Sequence, residues 1–309
     1  MTKPALEPGL VVAGHGRHVW VETPDGRRLI CHPRGKKSQT VVGDHVLWQA
    51  SEDEGTIEKV LPRRNLFYRQ DEIRTKSFAA NLDQVLVLIA AEPEFSESQL
   101  CRALIAAEAE KIRPIIAVNK SDLAEPFSRA WERMAAYRSM GYEVIPLALK
   151  PKEAGAAQTD LDQLMPVMQG KVTLVLGPSG SGKSTLINRL IPDARVLTNE
   201  ISQALNSGKH TTTSTSLYWI DAAKTTAVID SPGFQEFGLN HIDAMHLAGL
   251  MPDIKANAQD CKFYNCTHRH EPGCSVLMAM KPDAGAVAIT GARYKIYCDL
   301  FTELSHTRY

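Results

Sequence analysis

Asn119-Lys120-Ser121-Asp122 reads N-K-x-D, the pattern with which GTPases recognise guanine, and it precedes a phosphate-binding loop. That loop, Gly177-Pro178-Ser179-Gly180-Ser181-Gly182-Lys183-Ser184, reads G-x-x-x-x-G-K-S, and the D-x-x-G sequence Asp230-Ser231-Pro232-Gly233 follows it. An ordinary GTPase carries the phosphate loop first, D-x-x-G second and N-K-x-D last. Because the three motifs must converge on one nucleotide, their altered order predicts a circularly permuted GTPase, in which the same fold is reconnected with its chain ends elsewhere.

The phosphate loop lies between an apolar segment, residues 171–176, and a helical pattern over residues 184–190. A glycine-rich loop in this position can wrap its backbone N–H groups around phosphates, and the helix N-terminus adds a favourable dipole. We expect Lys183 to reach the β- and γ-phosphates as a catalytic residue. We expect the Ser184 hydroxyl to ligate Mg²⁺.

The remaining motif residues divide between the guanine base and the γ-phosphate. The Asp122 carboxylate can accept hydrogen bonds from N1–H and the exocyclic amine of guanine, which adenine does not offer, while Asn119 braces the loop. Asp230 can hold Mg²⁺ through water, and the Gly233 N–H can sense the γ-phosphate. The predicted nucleotide-binding residues are Asn119, Lys120, Ser121, Asp122, Gly177, Pro178, Ser179, Gly180, Ser181, Gly182, Lys183, Ser184, Thr185, Asp230 and Gly233.

A threonine-rich segment, Gly208-Lys209-His210-Thr211-Thr212-Thr213, lies between the phosphate loop and D-x-x-G. A loop in this position must deliver one hydroxyl to Mg²⁺ when GTP is bound. Spacing leaves all three threonines open, and we choose Thr212. Ras-type enzymes place a water-orienting Gln directly after D-x-x-G, but Phe234 stands there in this chain. We therefore expect slow unaided hydrolysis and take His210 as the candidate catalytic group that aligns the water.

Three cysteines and one histidine cluster near the C-terminus in the pattern Cys261-x4-Cys266-x-His268-x5-Cys274. Three thiolates and an imidazole make a tetrahedral set that suits Zn²⁺, and no open position remains for catalysis. We therefore expect one structural zinc ion. His270 is an alternative to His268 that spacing alone does not exclude.

Element patterns divide the 309-residue chain into three domains. Residues 1–62 show short strand patterns punctuated by Gly and Pro, which favour a small OB-type β-barrel, with an SH3-like barrel as the alternative. Residues 63–240 alternate strand and helix patterns, typical of an α/β domain with a largely parallel sheet. Residues 241–309 are helical around the zinc cluster. The predicted fold class is therefore α/β: a circularly permuted P-loop GTPase domain between an OB-type barrel and a helical zinc-binding domain.

Composition excludes several classes of partner and location. The formal net charge is zero, so no global basic field attracts nucleic acid, and any RNA contact must use local patches. The longest strictly apolar run, residues 85–91, is far too short to span a membrane. The N-terminal residues lack a signal-peptide core, and the clustered cysteines favour a reducing compartment. We expect a cytoplasmic monomer.

Two basic stretches are candidates for RNA contact. Residues 63–76 interleave basic and aromatic side chains, and a second group lies in the expected barrel loop. Basic loops with aromatic residues fit phosphate contact combined with base stacking. The residues concerned are Arg63, Arg64, Phe67, Tyr68, Arg69, Arg74, Lys76, Arg34, Lys36 and Lys37.

The whole arrangement resembles the bacterial ribosome small-subunit-dependent GTPase family (RsgA, also called YjeQ or YloQ). The similarity covers nearly the whole chain, and residues 208–213 and 230–234 match that family's pattern closely. The resemblance implies that the protein binds GTP or GDP, contacts the maturing small ribosomal subunit and its rRNA, assists its late maturation, and hydrolyses GTP to leave.

Two other functions are considered beside that one. The first is a permuted GTPase of large-subunit assembly, although such relatives are not expected to carry both this barrel and this zinc cluster. The second is a non-catalytic GTP-sensing RNA-binding module, which the intact Lys183, Ser184 and Asp230 argue against.

The permutation also predicts a mechanical connection. Gly233-Phe234 leads within a few residues to His241 and the zinc cluster. We therefore expect movement of the γ-phosphate-sensing loop to be pulled directly onto the C-terminal domain, with the barrel tethered at the far side near Arg64.

Overall fold

The N-terminal strands form a closed five-stranded barrel in the computed structural model, which describes residues 5–15, 18–34, 40–51, 54–150, 156–192, 215–233, 237–280 and 289–306. β1 pairs with both β2 and β4, and β3 pairs in parallel with β5, so the barrel closes in the order 1-2-3-5-4-1. This order is that of an OB-type barrel and settles the choice against the SH3-like alternative. The strands are β1 (Glu7–His15), β2 (His18–Glu22), β3 (Arg28–Pro33), β4 (His45–Ala50) and β5 (Gly55–Val60).

The central domain contains a mostly parallel sheet flanked by helices. Its strand order is β10-β9-β8-β11-β13-β12, and β12 alone runs antiparallel to its neighbour within this group. The strands are β8 (Gln84–Ala90), β9 (Arg113–Asn119), β10 (Glu143–Leu147), β11 (Val172–Leu176), β12 (Thr215–Trp219) and β13 (Ala227–Asp230). The helices are α1 (Glu97–Ala109), α2 (Ala124–Arg133), α3 (Ala135–Ser139), α4 (Ala156–Met168) and α5 (Lys183–Leu190).

The topology explains how motifs far apart in sequence meet. β9 ends at Asn119, β11 leads into the phosphate loop, and β13 ends at Asp230. These three strands are parallel members of one sheet, so their carboxyl ends lie along the same edge, where α/β proteins bind ligands. The predicted convergence of the three motifs follows from this register.

A hairpin follows the barrel in the sequence and precedes the first strand of the central sheet. It coincides with the basic stretch that the sequence analysis assigned to RNA contact. Its strands, β6 (Leu66–Gln70) and β7 (Thr75–Ala80), pair only with each other among the named strands. Phe67 is fully buried, with its ring centroid 5.7 Å from those of Phe78 and Phe237. The prediction that Phe67 stacks on RNA bases is therefore wrong, because its ring completes a core cluster.

The barrel joins the central sheet directly. β1 pairs antiparallel with β12 at Ala13↔Ser216 and Gly14↔Thr215, so one hydrogen-bonded sheet runs through both domains. Beside this junction, the buried Glu22 carboxylate accepts from Trp219 Nε1 at 2.9 Å and Lys224 Nζ at 2.7 Å. Although burial opposes ionisation, these hydrogen bonds and that of Arg28 lower the pKa of Glu22. The barrel is thus attached at β12 in addition to the expected tether near Arg64. The sequence did not predict the attachment at β12.

The C-terminal domain packs against α1 and α3. It contains a 3₁₀ helix (Ala244–Leu250), α6 (Pro252–Ala258), α7 (Ser275–Ala279) and α8 (Gly291–Ser305). Arg293 on α8 donates to both carboxylate oxygens of Asp253 on α6, at 2.9 and 2.7 Å, and both side chains are almost fully buried. The same guanidinium reaches Cys101 Sγ on α1 at 2.8 Å. Because a buried charge without its partner is costly, this pair fixes how the domain is seated.

The segment that follows the D-x-x-G motif is anchored before it reaches the C-terminal domain. Gln70 at the end of β6 donates its N–H to Gly238 O at 3.1 Å and accepts from Asn240 N at 2.9 Å. Phe237 and Leu239 are buried. The hairpin therefore holds the connection before it reaches the C-terminal domain, and the expected pull of the sensing loop onto that domain stays a prediction.

The domain boundaries at 62/63 and 240/241 remain predictions. The barrel strands end at Val60, and the first helical turn of the C-terminal domain begins at Ala244. In the part of the chain that the structure describes, no helix has both the length and the apolar character needed to cross a membrane.

Candidate functional site

A cavity of about 1070 Å³ lies at the edge of the sheet where β9, β11 and β13 end. It brings together side chains and backbone from the N-K-x-D segment, the phosphate loop, the D-x-x-G segment and the loop after β10. The lining residues are Arg69, Asn119, Lys120, Asp122, Leu123, Leu149, Lys150, Gly177, Pro178, Ser179, Gly180, Gly182, Lys183, Ser184, Thr185, Pro232 and Gly233.

The phosphate loop is shaped by a glycine that no other residue can replace without strain. Gly182 has φ +100°, and a Cβ there would lie 2.2 Å from Asn119 Nδ2. The loop therefore turns into α5 while the base-recognition motif packs directly against it. The first helical residue, Lys183, donates from Nζ to Asp230 Oδ1 at 2.5 Å, and both residues are buried. The lysine of the phosphate loop thus lies beside the carboxylate that ends β13.

Asn119 connects the base-recognition motif with the two loops beside it. Its Nδ2 donates to Ser181 O at 2.9 Å, within the phosphate loop. Its Oδ1 accepts from Leu149 N at 3.1 Å and Lys120 N at 2.8 Å. Asn119 is itself buried, so these bonds are protected from water. The geometry agrees with the bracing role expected from the sequence.

The base end of the cavity is open and polar. Asp122 is exposed and lines the cavity, while Ser121 N donates to Leu147 O at 2.9 Å and holds the turn in place. Leu149 and Lys150 follow β10 and line the same end. The sequence order of the motifs predicts that the loop backing the base follows the strand at residues 143–147, although only Ala148 of Leu147-Ala148-Leu149-Lys150 fits the small-residue pattern usual there. The pairing of β10 with β9 brings Leu149 and Lys150 to the cavity.

The opposite end of the cavity is formed by the D-x-x-G segment. Ser231 Oγ donates to Val175 O at 3.0 Å, which joins the segment to the strand entering the phosphate loop. Gly233 lies against the phosphate loop, and a Cβ there would be 3.4 Å from Gly177 O. The motif is thus held next to the loop, where a γ-phosphate would extend.

The predicted site residues fall into three groups. Most line the cavity, whereas Ser121, Ser181 and Asp230 are not among the lining residues and make the hydrogen bonds described above. His210, Thr211, Thr212, Thr213 and Phe234 lie outside the described residues, so the predictions on them are untested. Arg69 lines the cavity, although its sequence pattern grouped it with RNA contacts.

The Cys/His cluster forms a second site in the C-terminal domain. The ligand atoms of Cys261, Cys266, His268 and Cys274 all lie within 4.8 Å of one another. His268 Nδ1 is 3.4 Å from Cys261 Sγ and 3.6 Å from Cys274 Sγ, and those two sulfurs are 3.9 Å apart. His270 is exposed and is not a member of the cluster. These four side chains can hold a metal ion, and the choice of His268 over His270 follows from the geometry.

The loop around the cluster is held by a network of hydrogen bonds. Glu271 accepts from the backbone of Thr267, Arg269 and His270 and from the Thr267 hydroxyl. Tyr294 on α8 donates its hydroxyl to His268 O at 2.8 Å. Although burial opposes ionisation, the bonds from Thr267 and the loop backbone lower the pKa of Glu271. A carboxylate at the loop centre thus orders the backbone that presents His268.

Burial makes two of the cysteines in this cluster, Cys266 and Cys274, poor acids in the absence of a cation. It raises the pKa of Cys266 to about 12 and also raises that of Cys274. Burial lowers the pKa of His268, so the imidazole is neutral at pH 7 and can act as a ligand. A metal ion would replace the thiol protons and supply the positive charge that the buried thiolates lack.

Comparisons with known proteins agree with this fold and site. The family model described as RsgA GTPase matches residues 60–240. A protein of Variovorax paradoxus (strain S110) named small ribosomal subunit biogenesis GTPase RsgA is 70% identical over 98% of this chain and 94% of its own length. A protein of the same name from Paraburkholderia xenovorans (strain LB400) is 47% identical over 96% of this chain and 93% of its own length.

Two solved structures share the fold over almost the full length of both chains. The crystal structure of YloQ, described as a circularly permuted GTPase, has a TM-score of 0.70 at 28% identity and covers 99% of this chain and 98% of its own. YjeQ from Thermotoga maritima has a TM-score of 0.72 at 28% identity, with 98% and 100% covered. These matches confirm the predicted permutation, and the chain belongs to the RsgA GTPase family.

Proposed function

We propose that this GTPase binds the small ribosomal subunit and its rRNA, assists the late maturation of that subunit, and hydrolyses GTP faster when the subunit is bound. The observation that carries the proposal is the 70% identity, over 98% of the chain, with a protein whose name describes small-subunit biogenesis. The nucleotide cavity supplies the chemistry that such a function needs. A cytoplasmic location and a monomeric state remain predictions.

Within that function, we propose the following roles at the cavity. Asp122 pairs with guanine, and Lys183 exchanges its ion pair with Asp230 for the β- and γ-phosphates. Ser184 ligates Mg²⁺, and Asp230, once released from Lys183, holds the same ion through water. Thr212 as a second Mg²⁺ ligand and His210 as the water-aligning group rest on sequence alone.

We propose that the metal of the Cys/His cluster is zinc. Zn–S bonds of about 2.3 Å and Zn–N bonds of about 2.0–2.1 Å in a tetrahedron place sulfurs about 3.8 Å apart and sulfur and nitrogen about 3.6 Å apart. The separations found here, 3.9 Å between Cys261 Sγ and Cys274 Sγ and 3.4 and 3.6 Å to His268 Nδ1, agree with that geometry. Four protein ligands leave no open position, so the ion is structural.

Loss of one zinc ligand should disrupt the C-terminal domain before it affects nucleotide binding. We expect purified protein to contain one zinc ion per chain. Cys266→Ser should lose it, increase protease sensitivity after residue 240, and weaken small-subunit binding, because metal binding contributes folding free energy to this loop. Elemental analysis, limited proteolysis and GDP titration measure these effects. Cys298→Ser, outside the cluster, is the matched control. Protein purified without chelators that contains no zinc would refute the site.

Subunit affinity should depend on the bound nucleotide. A nucleotide shifts a conformational equilibrium only by its differential affinity for the two states. We expect the small subunit to bind more tightly with a non-hydrolysable GTP analogue than with GDP, by about 5- to 150-fold, the usual range of coupling between two sites. Co-sedimentation with small and large subunits in both nucleotide states measures this. Equal affinity for the small subunit in both states, or preference for the large subunit, would contradict the proposal.

A single substitution can test the role of the connection after D-x-x-G. A Cβ on Gly238 would lie 2.2 Å from Asp71 Oδ1 and 2.5 Å from Gln70 O, so Gly238→Ala should loosen the contact between hairpin and sensing loop. We expect it to reduce the difference between the two nucleotide states while GDP still binds. Gly249→Ala, where a Cβ meets no atom within 4 Å, is the control.

A further inference from the structure

Arg69 extends from the hairpin into the nucleotide cavity. Among the residues that the structure describes, Arg69 is the only arginine that lines this cavity. Its side chain is 22% exposed, and its Nη2 lies 4.0 Å from Asp71 Oδ2. Arg74, an exposed basic residue of the same hairpin, is not among the lining residues. The two arginines therefore serve different surfaces, although their sequence context is the same.

Backbone contacts join the hairpin that carries Arg69 to the segment that follows D-x-x-G in the sequence. The next residue, Gln70, is hydrogen-bonded through both its N–H and its C=O to Gly238 and Asn240. These residues belong to the segment that follows Gly233 within a few positions. Gly238 packs so closely on Gln70 and Asp71 that a side chain there would collide with both. This connection, together with the shared lining of the cavity by Arg69, Pro232 and Gly233, favours the D-x-x-G end of the cavity as the place of Arg69.

The other lining cations occupy different places. Lys183 starts α5 and pairs with Asp230, whereas Lys120 and Lys150 flank the base end. A phosphoryl-transfer transition state carries charge on the γ-phosphate oxygens and the leaving oxygen, beyond the reach of the base-end lysines. A guanidinium suits this place because it is always charged and offers several N–H donors in a fixed plane.

We infer that Arg69 is a catalytic residue of GTP hydrolysis, acting as an arginine supplied within the chain. It contacts the γ-phosphate oxygens as water attacks the γ-phosphorus. A new P–O bond forms, the bond from phosphorus to the β,γ-bridging oxygen breaks, and GDP leaves with that electron pair. The water proton passes to phosphate or solvent. The guanidinium transfers no proton and stabilises the developing charge. This inference rests on the nucleotide site proposed above and requires no ribosome.

The test is single-turnover hydrolysis of GTP by the full chain without ribosomal subunits. Arg69→Ala should lower the rate on the order of 10²-fold, the effect of removing one preorganised donor from a transition state. Its affinity for GDP and its melting temperature should stay close to wild type. Arg69→Lys keeps the positive charge and loses the planar guanidinium. Its hydrolysis rate should lie between the rates of wild type and Arg69→Ala. Arg74→Ala, on the same hairpin, should hydrolyse GTP within about threefold of wild type.

A second readout separates catalysis from hairpin structure. GDP with fluoroaluminate mimics the transferring phosphoryl group, so Arg69→Ala should weaken that complex by about the same factor as the rate, while GDP alone binds normally. The inference is overturned if the single-turnover rate of Arg69→Ala lies within about threefold of wild type, or if Arg69→Ala loses GTP affinity and keeps its rate. It is also overturned if Arg74→Ala loses as much of the rate as Arg69→Ala. Because no subunits are present, a failure of subunit stimulation would leave these results unchanged.

Discussion

Replacing Asp122 with asparagine should change the nucleotide preference from guanine to xanthine. The carboxylate can accept two hydrogen bonds from guanine, each worth about 1.5–3 kcal/mol when one partner is charged. Together they correspond to roughly 10²- to 10⁴-fold in affinity. Xanthine carries a carbonyl in place of the exocyclic amine, so the side-chain amide that Asp122→Asn introduces can donate a hydrogen bond to it. Because Asp122 is exposed and its turn is held by Asn119 and Ser121, the loop should keep its shape.

Competition for a fluorescent GDP analogue by GTP, XTP and ATP measures this change. Wild type should bind GTP far better than ATP or XTP, and Asp122→Asn should bind XTP best. Asp299→Asn, an exposed aspartate on α8, is a control of the same chemical kind. Equal wild-type affinity for ATP and GTP would show that Asp122 does not read the base.

The second large effect concerns the acceleration of turnover by the small subunit. Phe234 occupies the position of the usual water-orienting Gln and offers no side-chain hydrogen bond. We therefore expect slow basal turnover, and we expect His210→Ala to remove most of the stimulation while GTP still binds. The loss should be on the order of 10²- to 10⁴-fold, the usual contribution of a general acid or base.

A control substitution shows whether the effect is specific to His210 or follows from removing any histidine. His246 is exposed on the 3₁₀ helix and is not among the residues that line the nucleotide cavity. His246→Ala should keep full stimulation when rates are measured at saturating GTP and saturating small subunits. If His210→Ala also keeps full stimulation by the small subunit, His210 is not the group that aligns the water.

Residues with a local motif could be assigned from the sequence. The phosphate loop, Asn119 and Asp122 meet as expected, because parallel strands of one sheet carry them to one edge. The OB-type barrel could not be separated from an SH3-like one, since the distinction lies in the β1–β4 and β3–β5 pairings. Strand patterns in a sequence predict where strands form, but they do not predict which strands pair with each other.

Arg69 shows why the rest of the site could not be predicted. Its neighbours in sequence are basic and aromatic, which favoured RNA contact. Its position is set by Phe67 packing on Phe237 and by Gln70 pairing with Gly238, both with residues far along the chain. Hydrophobic periodicity carries no information on such distant contacts. The same limit applies to the Arg293–Asp253 pair that seats the C-terminal domain.

The most direct test of the central claim is GTP turnover by the wild-type protein alone and with small subunits, large subunits or free rRNA, at equal concentrations. The account predicts acceleration by at least about 10²-fold, in keeping with the 10³- to 10⁵-fold supplied to other GTPases by an added arginine, and only with small subunits. Turnover within twofold of the basal rate with small subunits, or equal acceleration by large subunits, would contradict it.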